Sequence, residues 1–111
     1  MKPGAQAEQA AAQFLQRHGL RLVLTNYRCR FGEIDLILRD KETLVFAEVR
    51  QRSRSDFGGA ASSIDSHKQQ RLILTAQHYL ASLPRLPPCR FDAMLLDAAG
   101  NIDWVKNAFE L

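Results

Sequence analysis

At 111 residues the chain has the length of one ordinary domain, able to bury roughly 60–70% of its extended surface in a shared core. Hydrophobic residues at 46% and charged residues at 24% exclude a disordered or fibrous polypeptide. A net charge of +3, with a sequence pI near 9.2, suits a polyanionic partner without requiring one.

Gln6, Glu8, Gln9 and Gln13 interrupt every apolar run near the N-terminus, so no secretory signal is written there. No run approaches the ~20 apolar residues that span a bilayer. The expectation is a cytoplasmic protein with no membrane partner. Over residues 4–18, Ala7, Ala11, Phe14 and Leu15 fall on one helical stripe, and Gly19 is placed as a stop. Glu8 lies near that stripe in the first turn, where an acid complements the helix dipole. Residues 20–28 then alternate Leu20, Leu22 and Leu24 against Arg21, Val23 and Thr25, which predicts an edge or second strand bent at Asn26.

Residues 32–54, GEIDLILRDKETLVFAEVRQRSR, form the stretch around which the rest is organised. Period two puts Glu33, Asp35, Ile37 and Arg39 on one face and Ile34, Leu36 and Leu38 on the other. After the turn-like Asp40, Lys41, Glu42 and Thr43, a second strand puts Leu44, Phe46, Glu48, Arg50, Arg52 and Arg54 on one side and Val45, Ala47 and Val49 on the other. In a hairpin centred on Lys41 and Glu42, facing residues have numbers that sum to 83. Asp35 is then opposite Glu48, and Glu33 opposite Arg50. Directly opposed like charges destabilise a strand pair unless something compensates, and a divalent cation is one such compensation. A wet face with cross-strand ion pairs is the plainer account of the same pattern.

Arg50, Arg52 and Arg54 crowd one end of this hairpin, with Arg28, Arg30 and Arg39 nearby in sequence. Without interleaved aromatic residues to stack on bases, they suit backbone phosphate better than base edges. Residues 51–63, with Gly58 and Gly59 adjacent, read as a loop that matches no phosphate-loop fingerprint. A second helix begins at Asp65 or Ser66 and ends by Leu83, with Leu72, Ile73, Ala76, Tyr79, Leu80 and Leu83 as its apolar face. Lys68 and Arg71 occupy its first turns and are candidate phosphate contacts. Pro84, Pro87 and Pro88 mark the crossover to a buried strand over 89–97 and a short final strand over 102–106, anchored by Trp104. Arg90 and Asp92 share a strand face, where they could pair with each other or support the site from behind it, a structural role in preference to a catalytic one. Cys29 and Cys89 have neither zinc-site nor disulfide-framework spacing, and His18, His67 and His78 are scattered. No nucleophile, nucleotide-binding or dinucleotide motif is present.

GEIDLI, then AEVRQRSRSDFGGA, HKQQRLILTAQHYL and RFDAMLL together resemble the YraN-type family of small bacterial proteins, over nearly the whole chain. That family is similar to the restriction-endonuclease-like superfamily, whose nucleases, Holliday-junction resolvases among them, carry an Asp on one strand and Glu-x-Lys on the next. The resemblance implies an α/β fold, a mixed sheet of about five strands flanked by helices in the order α-β-β-β-α-β-β, as one domain over residues 1–111. It implies Asp35 and Glu48 as catalytic metal ligands for Mg²⁺ or Mn²⁺, with Glu8 as a third ligand from the first helix. Arg50 stands where the superfamily has Lys. An Arg stays protonated and can stabilise a phosphate but cannot act as a base.

The leading expectation is a nucleic-acid-binding protein that acts as a metal-dependent nuclease on DNA or RNA. Asp35, Glu48 and Arg50 would be catalytic, and Arg52, Arg54, Lys68 and Arg71 would hold the backbone. The alternatives are a non-catalytic nucleic-acid-binding module and a protein-interaction subunit that forms a homodimer through an exposed edge strand.

Overall fold

A computed structural model describes residues 4–51 and 64–109. The elements run α1 (Ala5–Arg17), β1 (Arg21–Cys29), β2 (Gly32–Asp40), β3 (Thr43–Gln51), α2 (Ser66–Leu80), β4 (Cys89–Leu96) and β5 (Ile102–Phe109). This is the mixed α/β order expected from the sequence, with five strands in one sheet.

The strands lie side by side in chain order. β3 and β4 are parallel, and every other neighbouring pair is antiparallel. The difference follows from the connections, because tight turns reverse the chain whereas a crossover through α2 brings it back to the same end. β4, the strand after the helix, accordingly runs parallel to β3.

Each face of the sheet is covered by one helix. Leu36, Leu38, Val45, Ala47, Val49 and Met94 pack against Ala11, Ala12 and Leu15 of α1. Ile37, Phe46, Phe91, Ala93 and Leu95 pack against Leu72 and Ala76 of α2. Central strands covered on both sides lose the polar half of their alternation, which is why VFAEV and DAMLL read as near-continuous apolar runs.

Lys41 and Glu42 close the β2–β3 hairpin, with Asp40 opposite Thr43 and Lys41 in the left-handed region at φ 57°. From there to Leu36 opposite Ala47, the paired residues sum to 83, as the turn chemistry predicted. Strict alternation fails beyond that point. Ile34 packs with Ile37 on the α2 side, whereas the period-two reading placed it with Leu36 and Leu38. The neighbouring strand carries two irregularities of its own. The β1–β2 register shifts between Leu22 and Leu24, so Leu22 packs toward α1 and Leu24 toward α2, which also corrects the simple leucine alternation expected for β1. Asn26, left-handed at φ 53°, then turns Tyr27 to the α2 side, where it lies opposite Ile34. The resulting irregularity falls at Asp35.

α2 starts where Asp65 accepts the Lys68 backbone N–H at 2.8 Å, an N-cap bond, and its regular part ends at Leu80, earlier than Leu83. Leu83 still donates its N–H to the Leu80 carbonyl at 3.0 Å and packs with the rest of the expected apolar face. β5 continues past Lys106 to Phe109 through a left-handed Asn107 at φ 53°. Arg90 and Asp92 do pair, at 3.0 Å, and Asp92 also accepts from Trp104 Nε1 at 2.9 Å and from the Asn107 N–H at 3.0 Å. Arg90 reaches on to Asp40 at 3.0 Å. Burial alone would lower the Arg90 pKa, but hydrogen bonds and charge from Asp92 and Asp40 hold it above the usual value. Both cysteines are free thiols, and burial pushes that of Cys89 up. No helix among the described residues is long and apolar enough to cross a membrane.

Candidate functional site

Beyond Leu36 and Ala47 the two hairpin strands flank one side of a pocket, whose other side is the start of α2. Asp35 and Glu48 both line it, with Gly32 and Glu33 from β2, Arg50 from β3, and Lys68 and Arg71 from α2. Among the described residues its charged lining is three carboxylates and three cations.

Asp35 is 3% exposed, and its Oδ2 accepts the Val49 backbone N–H at 2.9 Å. The side chain thus takes up a β3 donor at the place where the irregular β2 backbone leaves the regular ladder. Glu48 is 6% exposed. Its Oε2 lies 2.9 Å from Lys68 Nζ and 3.9 Å from Arg50 Nη1. A carboxylate this deeply placed needs a paired cation, and the ammonium from α2 is the nearer one. The Asp65 N-cap fixes the Lys68 backbone, so one residue carries both the helix start and the ion pair. The sequence offers Lys68 and Arg71 as phosphate contacts; the structure brings Lys68 to Glu48 itself and places Arg71 in the lining of the same pocket.

The approach of α2 depends on Gly32. At φ 151° it holds a backbone conformation that side chains rarely adopt, and a Cβ there would sit 3.3 Å from Thr75 Oγ1. Thr75 is fully buried, its hydroxyl donating to the Arg71 carbonyl at 2.8 Å. Neither residue stood out in the sequence. Gly32 is detectable only as the glycine opening GEIDLI.

Glu8 is 8% exposed, not the surface acid that its first-turn position suggests. Asn26 Nδ2 donates to Glu8 Oε1 at 2.9 Å and to Glu33 Oε2 at 3.2 Å, while Arg28 Nε donates to the same Glu33 oxygen at 3.0 Å. Glu8 therefore connects to the pocket through Asn26 and Glu33 but is not among the residues that line it. Among the described residues no three His, Cys, Asp or Glu side chains gather as a metal-holding group. The structure thus brings Asp35, Glu48, Arg50, Lys68 and Arg71 together and leaves Glu8 one link away. Arg52 and Arg54, with Gly58 and Gly59, lie outside the described residues.

Beside Gly32 the fold also collects aromatic groups, and Tyr27 and Phe31 flank Arg28 and Arg30 in the sequence itself, which corrects the expectation of arginines without interleaved aromatic residues. The Arg30 guanidinium lies 4.9 Å from the centre of the Phe31 ring, His78 meets that ring edge-on, and Tyr27 hydrogen-bonds to His78 Nδ1. Burial raises the Tyr27 pKa, with smaller contributions from Cys29 and Tyr79.

The chain matches the Uncharacterised protein family UPF0102 over residues 7–96. A UPF0102 protein of Nitrosomonas europaea is 57% identical over 109 residues, covering 96% of this chain and 92% of the relative. One from Cupriavidus pinatubonensis is 56% identical over 109 residues, covering 97% and 85%. A third, from Psychromonas ingrahamii, is 53% identical over 108 residues, covering 96% and 88%. The YraN-type resemblance carried by GEIDLI and the stretches after it is thereby borne out, and the chain belongs to the UPF0102 family.

Proposed function

We propose that this protein binds nucleic acid through backbone phosphates and hydrolyses phosphodiester bonds with Mg²⁺ or Mn²⁺, as a nuclease of the restriction-endonuclease-like kind. The observation that carries this reading is the meeting of two buried carboxylates from adjacent strands, Asp35 and Glu48, with Arg50, Lys68 and Arg71 in one pocket. The donor set fits a hard divalent ion. Both ligands offer oxygen, and an ion held by two carboxylates completes its shell with water and phosphate oxygens, so a third protein acid is not required. Such an ion, when bound, supplies charge neutralisation at the phosphate and an acidified water.

The chain's own residues do the rest. Asp35, fastened by the Val49 N–H, and Glu48 hold fixed positions on two strands. Arg50 and Arg71 present planar forks to phosphate oxygens and stay charged throughout, stabilising developing negative charge without exchanging protons. Glu8 supports the site from outside through Asn26 and Glu33.

The test is incubation of the purified protein with single-stranded, flapped and branched DNA and RNA in Mn²⁺ and Mg²⁺, beside Asp35→Asn and Glu48→Gln. Cleavage by the wild type and its loss in both variants, with unchanged thermal melts, is the expected result. Cleavage that persists in both overturns the reading.

Arg50 in place of the strand lysine favours a second reading, a module that binds nucleic acid but has lost hydrolysis. It predicts binding that weakens with salt, survives chelation of metal, and is accompanied by no cleavage of any substrate. Pairing of edge strands into a homodimer is less well supported. The outer strands β1 and β5 each carry a register irregularity and a left-handed Asn, features that discourage strand addition.

A further inference from the structure

We infer that Lys68 is the built-in counter-ion of Glu48 and competes with the divalent cation for that carboxylate. This rests on the metal site proposed above and concerns what sets its affinity.

The Glu48 side chain is 7% exposed, and its close cationic partner is Lys68 Nζ at 2.9 Å; Arg50, at 3.9 Å from the same oxygen, is too far for a hydrogen bond. The other two acids of the pocket are held by contacts of their own. Asp35 takes a backbone N–H from Val49, and Glu33 takes Asn26 and Arg28. Glu48 is matched by an ammonium on a long, flexible stem. The Lys68 side chain is 33% exposed, whereas its backbone is pinned by the Asp65 cap. The ammonium can therefore leave Glu48 by rotating its stem while the helix stays in place.

An ammonium and a divalent ion seeking the same carboxylate oxygen exclude one another, so the free energy of the ion pair is subtracted from that of metal binding. Once displaced, the ammonium stays in the pocket beside Arg71, where an entering phosphate is its natural next partner. A lysine serving only to pin α2 to β3 would give a different signature, because its loss would destabilise the fold and leave metal binding unimproved.

The experiment is calorimetric titration of Mn²⁺ into the wild type, Lys68→Gln, Lys68→Arg and Asp35→Asn, each first melted without metal to confirm folding. Lys68→Gln should bind Mn²⁺ at least about tenfold more tightly than the wild type, and Lys68→Arg within about threefold of it, since the arginine keeps the competing charge. Equal or weaker binding in Lys68→Gln, with binding still lost in Asp35→Asn, removes the counter-ion role and leaves the metal site standing. No specific binding in either the wild type or Lys68→Gln removes the metal site and this inference with it. A second measurement uses the wild type alone and so does not depend on the variant folding. The Lys68 ε-methylene resonance should move toward that of a solvated lysine on saturation with Mg²⁺, and an unmoved resonance at saturation overturns the inference.

Discussion

Asn26 offers the sharpest test of how the pocket is held together, because two separable effects meet in one side chain. It sits in the left-handed region at φ 53°, where most side chains are strained by about 1–2 kcal/mol and Asn is tolerated. Its amide also donates at 2.9 Å to Glu8, a carboxylate only 8% exposed. A hydrogen bond to a charged group contributes about 1.5–3 kcal/mol, whereas the longer bond to the more exposed Glu33 adds little. Asn26→Gly keeps the backbone conformation and loses the bridge, so it should cost about 2 kcal/mol. Asn26→Ala loses both and should cost about 3–4 kcal/mol. In urea the glycine variant should unfold roughly 0.7–2 M earlier than the wild type, given ordinary m-values. Trp104 fluorescence is a suitable probe, the indole being half-buried and bonded to Asp92. The decisive comparison is a double-mutant cycle. In a Glu8→Ala background, where no buried acceptor is left, Asn26→Gly should cost less than about 0.5 kcal/mol. An undiminished cost in that background would refute the reasoning, as would a glycine variant as stable as the wild type.

Two further outcomes follow from the buried Asp92 and the half-buried Cys89, away from the pocket. Asp92→Ala strands donors from Arg90, Trp104 and Asn107 and should destabilise by about 3–5 kcal/mol in thermal unfolding; a loss under about 1 kcal/mol contradicts the account. Burial holds the Cys89 thiol above its ordinary range, so less thiolate is present at pH 8 and iodoacetamide should modify Cys89 more slowly in the native chain than in the urea-unfolded one; equal rates, read by peptide mass mapping, would refute this.

Local chemistry made much of the fold readable. DKET specifies a tight turn, the turn sets the register, and the register carries Asp35 toward Glu48 without reference to any other part of the chain. The apolar faces of both helices are equally local, each written in its own 3.6-residue period. What escaped is what depends on a second element. Ile34 lies on the opposite side from its period-two expectation, facing Tyr27 just past the left-handed Asn26 of the neighbouring strand, and a period-two count along β2 contains no trace of that. Glu8 looks like a surface acid from its place in the first turn and becomes buried only because α1 packs over the sheet where Asn26 can meet it. Gly32 and Thr75 matter through a close approach of β2 to α2, which neither strand nor helix periodicity encodes.

The same limit bears on the arginine at position 50. Under the proposed reading, comparison with the Glu-x-Lys of the nucleases that the chain resembles leaves an ammonium missing from the strand. Counting that against hydrolysis assumes the strand is where an ammonium must come from. Glu48 has one at 2.9 Å, delivered by the first turn of α2 from the far side of residues 52–63. Under the proposed reading, strand and helix then divide two tasks. Arg50, anchored on β3, holds charge at a fixed point, while Lys68, on a mobile stem, can give up its carboxylate to a metal and turn to the phosphate. The substitution at position 50 therefore argues against catalysis only if Lys68 proves indifferent to metal.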